Sequence, residues 1–341
     1  MLRRHRKAAV ALLLIVTLVP AVRFTRFIIT PPGDGKRAEI VELGRGQTLR
    51  SLAAGLEGRR LVSSARLFTL YARIMGGASR LKAGPYLLDD GMRPGEILSK
   101  MLKGDVYQRL FALPQGYSSY QVAEMLEKRG IFGKERFLEA CRDRAILGEL
   151  GVTAPSAEGY LFPGSYNILP GRTEREVVKE MVSRQKALLD AGLTARGKAK
   201  GLSPNELLTL ASMVEKEAVL PAEKPLIAAV FMNRIRLGMR LQSDPTALYG
   251  VRAFAGKVSR DDILRQTPYN TYLIPSLPPG PIGNPGKDAI EAVLSHPQVP
   301  FLYFVARGDG SHHFSSDLPS HNDAVRRYLR SPGMATSGRT R

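Results

Sequence analysis

Two acids set two residues apart, Glu215 and Glu217, carry the most chemistry of any pair in this chain. They lie in the run Leu210-Ala211-Ser212-Met213-Val214-Glu215-Lys216-Glu217-Ala218. Leu207, Leu210, Ala211, Val214 and Ala218 recur at helical spacing and predict one buried stripe. At about 100° per residue the two glutamates fall on opposite shoulders of that stripe, about 160° apart, and Lys216 points away to solvent. Each acid then sits where core meets water. Burial there raises a carboxyl pKa and keeps a proton available near neutrality. Acids so far apart around one axis cannot flank a single bond, as the paired carboxylates of an ordinary glycoside hydrolase must. The chemistry belongs to one of them acting alone. The helical wheel does not choose between them: Glu217 lies beside Leu210 and Met213, and Glu215 beside Leu208 and Ala211.

The elements around this helix supply the other polar candidates. Asp244-Pro245-Thr246 reads equally as a helix cap or as part of a site. The stretch from Pro268 to Gly286 is too rich in proline and glycine for regular structure, and such a loop inside a compact domain reads as a site wall. Phe301 to Ala306 and His312 to Ser315 predict a hairpin around Gly308-Asp309-Gly310. Four of the five histidines, His296, His312, His313 and His321, fall late in the chain. They match no common zinc-ligand spacing and no His-Glu-x-x-His pattern, so neither a metal nor another cofactor is expected.

The chain has 341 residues, a formal charge of +19 and 44% apolar residues, enough for two folded units. The positive charge is spread along the chain. No basic stripe is interleaved with aromatics and no zinc-finger or RNA-recognition signature occurs, so a nucleic-acid partner rests on net charge alone and is not expected. A membrane surface or an acidic wall polymer suits the charge as well. Cys141 is the single cysteine, so no intrachain disulfide forms.

At the N-terminus, Arg3-Arg4-His5-Arg6-Lys7 precedes an uncharged run from Ala8 to Val22. Its helix would rise roughly 22 Å, and Arg23 and Arg26 can snorkel while Phe24, Phe27, Ile28 and Ile29 extend the apolar character. A signal peptide would share these regions, but no clean small-x-small cleavage site follows. Residues 1–30 therefore read as a cytoplasmic basic tail and a single transmembrane anchor, with the rest of the chain outside. Residues 31–37 read as a linker. Between 38 and 133 one spacing recurs: Gly46 before Leu52, Ala53 and Leu56; Gly91 before Ile97, Leu98 and Met101; Gly116 before Val122, Ala123 and Leu126. Thr48 and Ser118 read as N-caps, Gln121 completes a capping box, and Pro94 fits a first helical turn. Residues 134–200 read as a helical connecting region, 201–330 as the domain that carries the glutamates, and 331–341 as a disordered tail.

Motifs in order from Ala211 to Asn322 resemble those of one family. After the glutamate run come Val230-Phe231-Met232-Asn233-Arg234 and Gly238-Met239-Arg240-Leu241-Gln242-Ser243-Asp244-Pro245-Thr246. Tyr249-Gly250, Thr267-Pro268-Tyr269-Asn270-Thr271-Tyr272 and Ser276-Leu277-Pro278-Pro279-Gly280-Pro281-Ile282 follow. Asn284-Pro285-Gly286, Tyr303-Phe304-Val305-Ala306, His312 with Phe314, and Ser320-His321-Asn322 complete the set. The segment is similar to the catalytic part of the MltG/YceG-like family, the membrane-anchored endolytic murein transglycosylases. Glu158-Gly159-Tyr160-Leu161-Phe162-Pro163 extends the likeness more faintly. Where the family has an Asp after that proline this chain has Gly164-Ser165, so no role transfers there.

The resemblance implies an α+β protein: a transmembrane helix, a small LysM-like α/β module and a mixed α+β catalytic domain. It implies cleavage of the β-1,4 bond between N-acetylmuramic acid and N-acetylglucosamine, leaving 1,6-anhydromuramic ends and terminating nascent strands. Glu217 would be the catalytic acid and base. Glu215 would support it, paired with Arg234 or Arg236. Gln242, Ser243, Asp244, Thr246, Tyr269, Asn270 and Tyr272 would bind substrate or stabilise charge, and His312 and His321 would line the site or serve as structural hydrogen-bonders. Implied partners are peptidoglycan glycan strands and penicillin-binding proteins or other synthases. The competing reading is a non-catalytic wall-binding scaffold at the membrane.

Overall fold

The computed structural model describes residues 17–77, 79–251 and 258–329, in two compact units divided between Gln108 and Arg109. It is a mixed α+β protein, about half helical, with three two-stranded antiparallel sheets among the described residues.

In the first unit a helix over 17–29 (α1) leads to strand β1 (Ala38–Leu43), helices α2 (Leu49–Gly58) and α3 (Ala65–Ile74), strand β2 (Gly84–Asp89) and helix α4 (Pro94–Lys103). β1 and β2 pair antiparallel from Ala38 opposite Asp89 to Leu43 opposite Gly84. Val41, Leu43, Tyr86 and Leu88 meet Leu52, Leu56, Phe68, Ile97 and Met101 in one core. Thr48 caps α2 by accepting the Ser51 N–H at 3.2 Å, as its position predicts. The residues expected to link the anchor to this unit are pinned to it: Asp90 Oδ1 accepts Gly35 N–H at 2.9 Å and Arg37 N–H at 3.2 Å. Among the described residues no helix is long and apolar enough to cross a membrane. Most of the expected span lies in residues 1–16, outside the described residues.

In the second unit strand β3 (Leu110–Leu113) pairs with β4 (Gly164–Asn167), more than fifty residues on. Helices α5 (Ser119–Lys128), α6 (Lys134–Arg142) and α7 (Arg144–Glu149) intervene, and α8 (Glu174–Leu188) and α9 (Thr194–Ala199) follow. Then come α10 (Pro204–Glu217), α11 (Lys224–Arg236), α12 (Asp244–Leu248), α13 (Arg260–Leu264) and α14 (Lys287–Leu294). The unit ends with hairpin β5 (Tyr303–Ala306) and β6 (His312–Ser315) and helix α15 (Leu318–Leu329). Ser118 and Gln121 form the expected capping box on α5. Val122, Ala123 and Leu126 do face a core, but it is that of the second unit. The third repeat, expected in one module with the other two over 38–133, thus belongs with the glutamate helix, because β3 finds its partner in β4. Cys141 is buried among apolar neighbours, which pushes its thiol far up and leaves it a packing residue.

α10 runs through the middle of this core. All eight residues from Leu207 to Val214 are buried, so the expected single stripe is in fact the whole circumference. The polar residues inside satisfy themselves: Thr209 Oγ1 donates to Asn205 O at 2.7 Å, and Ser212 Oγ donates to Thr209 O and accepts Ile282 N–H.

Candidate functional site

α10 starts with a capping box, Ser203 with Glu206 and Pro204 in the first turn, and stops at Glu217 because Ala218 turns extended. Its last turn emerges from the core, so Glu215, Lys216 and Glu217 are each half-buried. Carboxylates at a helix C-terminus meet the negative end of the helix dipole, an unfavourable place for a second negative charge. The two glutamates are treated differently there.

Glu215 is neutralised. Its Oε1 lies 2.8 Å from Lys224 Nζ, its Oε2 accepts Gly286 N–H at 3.0 Å, and Lys224 Nζ also reaches Asp288 Oδ2 at 2.7 Å. The expected pairing with Arg234 or Arg236 is not what forms. Lys224 lies at the start of α11, opposite the last turn of α10, whereas Arg234 and Arg236 lie at the far end of α11. Lys216 does not point to solvent: its Nζ donates to Gln121 Oε1 at 3.2 Å. Burial pushes its pKa down to about 8, against the pull of Glu158 and Glu215.

Glu217 faces a hydroxyl instead. Ser243 Oγ donates to its Oε1 at 2.5 Å. Burial pushes the carboxyl up to about 7; the Ser243 bond opposes the rise and the Asp244 charge adds to it. An acid near 7 exchanges its proton easily in both directions at neutral pH.

Ser243 is held by a lattice of threonines. Its N–H donates to Thr271 Oγ1 at 2.9 Å, Thr246 Oγ1 donates to Ser243 O at 2.6 Å, and the two threonine hydroxyls meet at 2.8 Å. Thr271 N–H also donates to Thr246 Oγ1. Just before it, Gln242 adopts φ +52°, a left-handed conformation strained for a residue with a side chain. Buried Arg234 fastens this bend: Nη1 donates to Arg240 O, Leu241 O and Gln242 Oε1, and Nε to Leu302 O at 2.7 Å. On the other side Tyr272 OH donates to Asp244 Oδ1 at 2.5 Å. Burial, Asp244 and the Glu217 charge all push the Tyr272 hydroxyl up, which keeps it a donor.

The structure thus gathers Gln242, Ser243, Asp244, Thr246 and Tyr272 beside Glu217 and sets the other candidates apart. Asn270 is fully buried and caps α13, its Nδ2 donating to the carbonyls of Asp262, Ile263 and Arg265. The Tyr269 ring packs on Tyr249, with centroids 4.5 Å apart. His312 binds Glu223, Nδ1 to Oε2 at 2.7 Å, and so ties the hairpin to the turn after Glu217. His321 stacks on Tyr303. The proline-rich loop is divided in use. Pro275 to Pro279 wall a groove of about 550 Å³ at the opposite end of α10 from Glu217, whereas Gly286 reaches Glu215.

Three residues matter here in ways that the sequence does not show. Thr271 holds the Ser243 N–H, and Arg234 binds the carbonyls of Leu241 and Leu302 rather than Glu215. Glu158 is the third: 2% exposed, it accepts Ser119 N–H, Ser119 Oγ at 2.7 Å, Tyr249 OH at 2.9 Å and Asn284 Nδ2 at 3.2 Å. Burial pushes its carboxyl up; the Ser119 and Tyr249 bonds and the Lys216 charge pull it back. It stitches α5, the end of α12 and the proline-rich loop around the glutamate turn. An acid embedded in the apolar run Gly159-Tyr160-Leu161-Phe162 was the available signal.

Comparison with known proteins agrees in extent with the described fold. The chain matches the YceG-like family over residues 41–327. It is 30% identical over 314 residues to a Bacillus subtilis (strain 168) protein named endolytic murein transglycosylase, covering 87% of each chain. A protein of the same name from Streptococcus pneumoniae (strain D39) is 29% identical over 333 residues; the match spans 87% of this chain and 60% of that one. The 2.6 Å crystal structure of a yceG-like protein from Listeria monocytogenes superposes with a TM-score of 0.58 at 29% identity, over 85% of this chain and 99% of that one.

Proposed function

This chain belongs to the YceG-like family, and from that premise we propose that it is an endolytic murein transglycosylase whose working group is Glu217. The observation that carries the assignment within the site is the contrast on one helical turn: Glu215 is ion-paired to Lys224, and Glu217 holds a proton up to about pH 7 beside a serine hydroxyl. Protonated Glu217 gives its proton to the glycosidic oxygen as the bond from the N-acetylmuramic C1 to that oxygen breaks. The C6 hydroxyl of the same sugar attacks C1 and closes the 1,6-anhydro ring, and its proton passes to the Glu217 carboxylate. No water is consumed. The nucleophile is intramolecular, which removes the entropy of bringing in a second reactant. Asp244, oriented by Tyr272, supplies negative charge for the oxocarbenium-like centre, and Ser243 orients the acid. Gln242 and Thr246 shape and hold that wall.

The reading further takes residues 1–30 as a cytoplasmic basic tail and a single membrane anchor, with the bulk of the chain outside beside strands leaving penicillin-binding proteins or other synthases. The two strand–turn–helix repeats of the first unit support a LysM-like, glycan-holding role for it. Digestion of purified uncrosslinked glycan, with strand ends analysed by mass spectrometry, tests the activity. Wild type should yield anhydro ends from within strands and Glu217→Gln at least about a hundredfold fewer. Reducing ends without anhydro ends would make the enzyme a hydrolase, and undiminished release by Glu217→Gln would remove that residue from the chemistry.

A further inference from the structure

We propose that the first unit rests on an anionic lipid surface through α3, with Leu70 and Ile74 in the headgroup layer and Arg66 and Arg73 on lipid phosphates. The inference rests on the reading of residues 1–30 as a membrane anchor. α3 already has an inner face, Phe68 and Ala72, which fills the core of the unit. It nevertheless carries a second apolar face: Leu70 is 48% exposed and Ile74 63%. On a wheel of about 100° per residue Leu70 and Ile74 lie about 40° apart, and Arg66 and Arg73 flank them on the side away from the core. Clustered exposed apolar side chains bordered by arginines are the pattern of a helix lying in a membrane interface.

Two further observations select lipid as the occupant. From residue 58 to 88 the chain has six cations, Arg59, Arg60, Arg66, Arg73, Arg80 and Lys82, and not one Asp or Glu. Arg59 lies 3.5 Å from Glu39, and the other five leave this stretch positively charged, which suits an anionic leaflet. The unit that carries this surface also carries α1. Leu18, Val19, Val22 and Ile29 project outward from α1, while Phe27 near its end is buried in the core of the same unit. Gly33 N–H then donates to Asp90 O at 2.7 Å, so the segment after α1 is fastened and not a free tether. A bilayer that holds α1 therefore lies within reach of the unit built onto its end. A glycan is a poorer match, since sugars stack on aromatic faces, and Tyr71, the aromatic nearest this face, is half-buried against the core.

The chain contains no tryptophan, so Leu70→Trp and Ile74→Trp each place a lone reporter at an exposed position. The full chain would be reconstituted into vesicles of phosphatidylglycerol and phosphatidylcholine. Flotation reads the anchor; tryptophan emission and its quenching by brominated acyl chains read α3. The expected result is flotation with blue-shifted, quenched emission at both positions, and quenching at least about fivefold weaker when Arg66→Glu and Arg73→Glu are added. Flotation with unshifted, unquenched emission at both positions would overturn the proposal and leave the anchor standing. Failure of the parent to float would overturn the anchor reading and this proposal with it. Emission that shifts with N-acetylglucosamine oligomers and not with lipid would make α3 a glycan face and refute it.

Discussion

Glu217→Gln should make the protein more stable at pH 8 and leave it nearly unchanged at pH 4.5. Folding raises this carboxyl from its ordinary 4.5 to about 7. Below pH 4.5 both folded and unfolded chains carry the proton, and the site costs nothing. Between 4.5 and 7 the unfolded chain releases it while the folded chain keeps it, so stability falls as pH rises. Above 7 the full cost is present, at most about 3 kcal/mol at 1.36 kcal/mol per pKa unit. The amide is isosteric, still accepts the Ser243 hydroxyl and never ionises. Its packing and desolvation effects are common to both pH values, so the difference between them isolates the charge. Thermal unfolding of parent and variant by far-UV circular dichroism, in detergent at the two pH values, reads it. A gain of roughly 6–12 °C at pH 8 is expected for a unit of this size. Equal shifts at both pH values, or a variant less stable than its parent at pH 8, would mean that Glu217 is not a buried acid and that the single-acid reasoning fails.

Three other outcomes follow from the same contacts. Anhydro-end release should decline as pH rises through about 7; Ser243→Ala, which removes a bond favouring the carboxylate, should move that decline to higher pH, and Asp244→Asn, which removes a neighbouring charge, to lower pH, both read from rate–pH profiles. Glu158→Ala strands the donors of Ser119, Tyr249 and Asn284 in the core and should cost about 3 kcal/mol or more in urea unfolding, with Glu158→Gln costing less. Gly283→Ala puts a methyl 2.5 Å from Gly116 O and 3.2 Å from Lys216 Cε, and should lower both melting temperature and activity by displacing the last turn of α10, at a cost of about 1–3 kcal/mol.

What could be read from the sequence was local. The caps at Thr48 and Ser118, the repeated glycine-to-apolar spacing, the hairpin around Gly308 and the emergence of α10 at its glutamates each depend on a few neighbouring residues. What escaped depended on distant partners. The third repeat looks like the first two, yet Leu113 pairs with Gly164, and that pairing alone moves it to the other unit. The wheel gave Glu215 and Glu217 equal standing because a wheel shows only one helix. Their difference comes from Lys224, nine residues beyond Glu215, and Ser243, further along the chain. Asn270 and Tyr269 share a motif with Thr271, but only Thr271 touches the Ser243 backbone. A motif marks a neighbourhood, and contacts decide which of its members face the acid.

On the proposed mechanism the two glutamates divide the labour, one for the chemistry and one for holding the turn. A group that must first give a proton to a leaving oxygen and then take one from an attacking hydroxyl meets opposing demands, and a pKa far from neutrality would serve one half at the expense of the other. A value near 7 compromises between them, and the structure reaches it by burial at a helix C-terminus, tempered by one serine. The same location would destabilise a second unpaired carboxylate two residues away. Lys224 cancels that charge, and Gly286 N–H turns Glu215 into an anchor for the loop beneath. Reversing the assignment would put the chemistry on a side chain whose two oxygens are already engaged, one by Lys224 and one by Gly286 N–H. The ion pair on Glu215 thus argues for Glu217 as strongly as anything at Glu217 itself.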